Sequence, residues 1–247
     1  MMRRIAAPAV LVVLCLAPAA HAAVTPLFGK HIHRLQNLVD SRYGPGHIDV
    51  TQDYMGARDA DPDPWFWAGN TIAVKLVKEV TQNGRRDSIG WYEETGVKPE
   101  FPAGGIVFGS KTQNGAVAIV PLGRRIKFGF YLRSCGSHDG TGVPGPEILF
   151  TNRAFNDIGL AGPGTRPAPG GGDMQALIFD VSRWSQPDTW LVCFEDCDSS
   201  ADPALDRGDD RPGADNDFDD MVFEVIALGA TPVAPTSFGS LKAQYRH

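Results

Sequence analysis

The chain has 247 residues, with 29 Asp and Glu against 23 Lys and Arg and a formal net charge of −6. That length suits a single all-β domain, and 28 Gly and 19 Pro describe many turns rather than long helices. No basic patch suits nucleic acid, and the negative balance disfavours an anionic membrane surface as a partner.

Residues 1–22 read as a cleavable secretory signal peptide. Arg3 and Arg4 form the positive n-region, Ile5 to Ala20 the apolar stretch, and Ala20-His21-Ala22 an A-x-A cleavage site. Pro8 and Pro18 break the apolar run, so no membrane span is expected once cleavage near Ala22 has occurred. A secreted or periplasmic product follows, with a net charge of −8 from 29 acids against 21 bases once Arg3 and Arg4 are gone. Residues 23–70 are expected to form an extension packed on the main domain. Within it His31 to Val39 has helical spacing, and Asp59-Ala60-Asp61-Pro62-Asp63-Pro64 is a solvated, proline-broken loop. Beside that loop, Trp65-Phe66-Trp67 reads either as core aromatics or as a flat aromatic platform for a sugar.

From Thr71 to Gly229 short β-type runs recur, and this is the expected main domain. They are Thr71–Val80, Gly105–Gly109, Ala116–Pro121, Arg125–Arg133, Glu147–Thr151, Gln175–Val181, Trp190–Glu195 and Met221–Leu228. The clearest is Arg125–Arg133. Ile126, Phe128, Phe130 and Leu132 alternate there with Lys127, Gly129, Tyr131 and Arg133, which puts one face in the core and one in water. Glycine- and proline-rich connections, Gly136–Pro146 and Gly159–Gly172, separate the runs. The pattern predicts an all-β fold, an antiparallel β-sandwich or jelly roll with a short N-terminal helical segment. Residues 230–247 read as a linker and tail. Ser134, His138 and Asp139 share one Gly-rich loop without a Gly-x-Ser-x-Gly turn, so they are taken as a polar turn, and no catalytic residue is assigned.

Cys135, Cys193 and Cys197 remain after signal cleavage. Export permits a disulfide, and the odd count leaves one thiol over. Cys135 and Cys197 each end an apolar run and are the expected pair. A zinc site is the rival, weakened because Cys193-x-x-x-Cys197 has no second pair at finger spacing.

Charge is concentrated between Cys193 and Glu224, where twelve acids face two arginines. Carboxylates crowded in this way repel one another unless they are spread in solvent, protonated or gathered around a cation. Calcium takes six to eight oxygens, which this window can supply. Asp215, Asp217 and Asp219 alternate, so an extended backbone would point them one way, with Asp220 turned aside. Glu195 and Asp196 close a different strand. If that strand pairs with Met221–Leu228, the acidic ends meet at one corner, and the loop between them folds over it. Asp198, Asp202, Asp206, Asp209 and Asp210 of that loop are either further ligands or solvated acids. An EF-hand does not fit: Asp220 stands at the glycine position and Ile226 at the twelfth. Asp59-x-Asp61-x-Asp63 fails in the same way, with Pro64 and Asn70 at those places.

Val192-Cys193-Phe194-Glu195-Asp196 together with Asp215-Asn216-Asp217-Phe218-Asp219-Asp220-Met221-Val222-Phe223 resembles a family of exported bacterial domains catalogued as domain of unknown function 4114. In that family Phe-Glu-Asp precedes Asp-x-Asp-Phe/Tyr-Asn-Asp and an apolar strand. Ser88-Ile89-Gly90-Trp91-Tyr92 and Phe128-Gly129-Phe130-Tyr131-Leu132 look like two further strands of it, so the resemblance runs from about Thr71 to Leu228. It implies a β-sandwich with a Ca2+ site carried by Glu195, Asp196, Asp215, Asp217 and Asp220. Asp219 replaces the usual Asn, and the long insertion between the two motifs is a departure. The expected metal set is therefore Glu195, Asp196, Asp215, Asp217, Asp219 and Asp220. The expected function is a secreted, non-enzymatic calcium-binding sandwich with a structural, adhesion or envelope-binding role. Its partner would be an extracellular glycan or an envelope or matrix protein. A carbohydrate-binding module and a polysaccharide-active hydrolase are the alternatives; a hydrolase would need one acid with a raised pKa, which a dense acidic cluster serves poorly.

Overall fold

Ten strands, one α-helix and one 3₁₀ turn form among the residues that the computed structural model describes: 26, 28–57, 66–79, 87–99, 104–109, 111–134, 147–156, 174–195 and 216–228. In chain order they are α1 (His33–Tyr43), β1 (Phe66–Ala68), β2 (Thr71–Glu79), β3 (Ser88–Glu93), β4 (Gly105–Phe108), β5 (Val117–Pro121) and β6 (Ile126–Ser134). There follow β7 (Glu147–Phe150), the 3₁₀ turn Arg153–Phe155, β8 (Ala176–Asp180), β9 (Thr189–Phe194) and β10 (Met221–Leu228). The signal peptide, the 59–64 acidic run, Trp65, Cys135, His138, Asp139, Cys197, the 198–210 acids and the tail from 230 lie outside the described residues. Among those described, no helix is long and apolar enough to cross a membrane.

Every strand pair is antiparallel, and the strands form two five-stranded sheets. One runs β1-β6-β3-β4, with β7 also on β6; the other runs β5-β2-β10-β9-β8. β1 and β7 follow each other along one flank of β6, since Phe66 faces Phe128 and Phe150 faces Tyr131. The fold is the expected antiparallel β-sandwich with a helix before it. Its first strand, β1, comes from the N-terminal extension, so the sandwich starts ahead of the Thr71 boundary.

The two sheets close on alternating apolar residues: Ile72, Val74 and Leu76 of β2, Phe128, Phe130 and Leu132 of β6, and Phe223 and Val225 of β10. Phe66 stands edge-on to Phe130 and Trp190, with ring centroids 5.5 and 5.6 Å away. The middle ring of the aromatic triplet is therefore core, which removes it from any sugar platform.

The other face of β6 does not meet water as its alternation suggested. Gly129 and Tyr131 are buried there, under a second cluster of Tyr92, Tyr131, Phe150 and Phe155. The reason lies in two missing side chains. A Cβ on Gly90 would collide with the Tyr131 ring, and one on Gly129 with the Tyr92 hydroxyl. Glycine lets each tyrosine lie across the neighbouring strand and seal the sheet.

A third apolar layer lies outside the second sheet. Leu35, Val39 and Tyr43 recur at i, i+4 and i+8, one stripe of α1. They pack with Leu177, Phe179, Leu191, Cys193, Phe218 and Val222. Gly44 ends the helix in the left-handed region at φ +98°, its N–H donating to the Asp40 carbonyl. Arg42 then anchors the helix: Nε donates to Glu224 Oε1 at 2.7 Å and Nη2 to Oε2 at 2.6 Å, while Tyr43 Oη donates to Oε1 at 2.7 Å. Burial pushes the Glu224 carboxyl up, but the Arg42 and Tyr43 hydrogen bonds outweigh it and hold the pKa below the ordinary value. The Tyr43 hydroxyl is raised, first by burial and then by its bond to Glu224. Cys193 sits in the same layer as a fully buried free thiol whose pKa burial raises strongly.

Candidate metal centre

β9 and β10 are neighbours, with Phe194 opposite Met221. Glu195 after one strand and Asp217 and Asp220 before the other therefore meet at one corner, as expected if these two strands pair. Glu195 is held in line by its N–H, which donates to the Gln175 carbonyl at 3.1 Å and extends the β8–β9 ladder. One carboxylate oxygen each from Glu195, Asp217 and Asp220 lies within 4.8 Å of the others, and all three residues are buried. This triad could hold a metal ion.

The backbone that presents it is not extended. Asn216 and Phe218 both take left-handed φ values, +50° and +55°. For a bulky residue such as Phe218 this is a costly conformation, found where surrounding structure over-determines it. Here Phe218 N–H donates to Glu195 Oε2 at 3.3 Å, and Asp219 N–H to Asp217 Oδ1 at 3.1 Å. The Phe218 ring is buried in the α1 layer. The period-2 reading consequently separates: Asp217 turns into the triad, whereas the Asp219 carboxylate is bonded to Lys78 Nζ on β2 and is not in the triad. Asp196 and Asp215 lie outside the described residues.

The N-terminal segment reaches this corner too. Gly29 N–H donates to the Asn216 carbonyl at 2.9 Å, Phe28 stands edge-on to Phe218 at 6.2 Å, and Arg34 Nη1 lies 3.5 Å from Asp217 Oδ2. Sequence reasoning missed these partners, and nothing local could have shown them, because Arg34 and Asp217 are 183 residues apart. Asn216 was also passed over. Its side-chain Oδ1 is buried and accepts no hydrogen bond among the described residues. An Asn inside an acidic run is the signal that could have flagged it, since Asn tolerates the left-handed region and carries an amide oxygen suited to hard cations.

Three carboxylates gathered this closely call for compensating positive charge. Two full charges no more than 4.8 Å apart repel by about 3.5 kcal/mol or more at an effective dielectric of about 20. Arg34 Nη1 approaches one of the three, Asp217, through a side chain that is 40% exposed and so partly screened by water. The triad offers oxygen alone, with no His or Cys, a donor set of the kind that suits a hard ion. No family model, curated protein or solved structure matches the chain.

Proposed function

We propose that this is an exported, non-enzymatic β-sandwich whose calcium ion ties the β9 and β10 ends to the N-terminal segment. The observation that carries the reading is the convergence of Glu195, Asp217 and Asp220, all buried, from two strand ends onto one point. The buried amide oxygen of Asn216, the residue before Asp217, is a further oxygen of the kind calcium takes. The left-handed turns at Asn216 and Phe218 support it as well, being backbone strain at a site rather than in a random loop. Calcium is favoured over magnesium because its coordination number and geometry are permissive, whereas magnesium demands a near-ideal octahedron. The acidic signature's likeness to the exported bacterial family agrees with this role, which is structural or adhesive. An envelope component or an extracellular glycan is the partner class.

The test is thermal unfolding with calcium and then with chelator. At about 100 times Kd a ligand specific for the folded state adds about 2.7 kcal/mol, and for a chain of this size that is roughly 5–10 °C. Asp217→Asn gives the diagnostic sign. It relieves like-charge repulsion, so in chelator the variant should melt above the parent; in calcium it should melt below it. Equal melting of the parent with and without calcium would sink the proposal.

A further inference from the structure

We propose that the open edge of β5 is a self-association surface that pairs, antiparallel, with β5 of a second copy of this chain. Among the described residues four large apolar side chains are exposed: Ile106 (52%), Val117 (58%), Ile119 (60%) and Leu228 (37%). Three of the four lie on β4 and β5. Among the described residues each of these strands is the last of its sheet, and they touch at one side of the sandwich. A sheet edge with exposed apolar residues is a template for another strand.

Backbone parity shows which groups that edge offers. Leu122 N–H donates to the Asn70 carbonyl at 2.7 Å, and the Ala116 carbonyl accepts from Leu76 N–H at 2.9 Å. Alternate residues of an antiparallel strand bond to the same side. Ala118 and Val120 therefore face β2, and the N–H and C=O groups of Val117 and Ile119 face outward. The side chains follow the same parity. Val120 enters the core and Ala118 packs against it, while Val117, Ile119 and Pro121 stand on the sheet's outer surface. The α1 layer covers β8, β9 and the start of β10 on that surface, and Leu228 stands exposed at the far end of β10.

The occupant follows from the edge's own sequence, Val117-Ala118-Ile119-Val120-Pro121. It has no charge of the sort that guards edges, so nothing in it selects a charged strand, and its one guarding residue, Pro121, stands at the strand's end. It is self-complementary about Ile119. In a two-fold antiparallel pair the two Ile119 residues exchange both hydrogen bonds, and each Val117 N–H reaches the partner Pro121 carbonyl, giving about four bonds. Pro121 has no N–H and is needed there only as an acceptor. Every outward donor of the strand is satisfied, and only the Val117 carbonyl remains for water. On the outer surface Ile119 meets its own copy, and Val117 meets Pro121. Such an interface is isologous and closes at two subunits.

Sedimentation velocity of the signal-free chain over a concentration series tests this. The parent should show a reversible monomer–dimer equilibrium, and Ile119→Lys should sediment as monomer at every concentration. Ile119→Thr, which keeps β propensity, should weaken the dimer at least tenfold should the lysine variant fail to fold. Register is tested by oxidising single-cysteine additions. Ile119→Cys should form a covalent dimer across the axis. Val117→Cys should not, because its copies lie roughly 14 Å apart along the strands. A parent that stays monomeric throughout overturns the proposal, as does a dimer indifferent to both Ile119 substitutions or one cross-linked equally by Val117→Cys.

Discussion

Glu224 shows how a single carboxylate can matter without being part of a site. It is buried in the middle of β10, and its charge is balanced from α1 by Arg42 and Tyr43. Tyr43→Phe removes one hydrogen bond to a charged acceptor and should cost about 2 kcal/mol in urea unfolding at neutral pH. The pH dependence has a definite sign at each end. The Glu224 pKa is lowered by folding, so its contribution is complete above the free glutamate value of about 4.3. It is lost as pH falls from there through the folded value. The Tyr43 pKa is raised, so its contribution is complete below about 10, the free tyrosine value, and is lost as pH rises beyond. The stability difference between parent and Tyr43→Phe should therefore shrink above pH 10; a constant difference would contradict the buried, neutral hydroxyl. The sequence could not show this pair. Glu224 lies in an apolar run that reads as pure strand, and Arg42 is 182 residues away.

At the scale of elements, the longer apolar runs were legible as strands, β6 among them despite Gly129 on its outer face. Met221–Leu228 was read to the residue, and most boundaries of the other runs shifted by one. Missing from the periodicity were β1, too short at three residues to show a period, and β3, where Gly90 breaks the apolar pattern. The same glycine explains why the outer face of β6 is covered. Gly90→Ala should force the Tyr131 ring from its seat and destabilise the fold by about 1–3 kcal/mol. In the Tyr131→Ala background the same substitution should cost much less. Additive losses in that double-mutant cycle would show that the ring and the glycine do not depend on each other. The corner of acids was legible as a consequence of β9 pairing with β10. The parting of Asp217 from Asp219 was not, because a left-handed bulky residue such as Phe218 is imposed by packing rather than by propensity.

Seen whole, the molecule stacks three apolar layers around two sheets, and the acidic corner lies where the helix layer, β9 and β10 come together. The outer layers depend on partners distant in sequence, which is why alternation alone placed only the middle one. One member of the helix layer gives this architecture a clock. Cys193 lies fully buried on β9, two residues before Glu195, and a thiol in that position reacts with an alkylating reagent only when the strand separates from its neighbours. Its modification rate, followed by mass spectrometry of the peptide that contains it, thus reports how often this corner opens. Saturating calcium should slow that rate in proportion to the stabilisation that the ion confers, and chelator should restore it. An unchanged rate would place the opening of β9 outside the ion's reach.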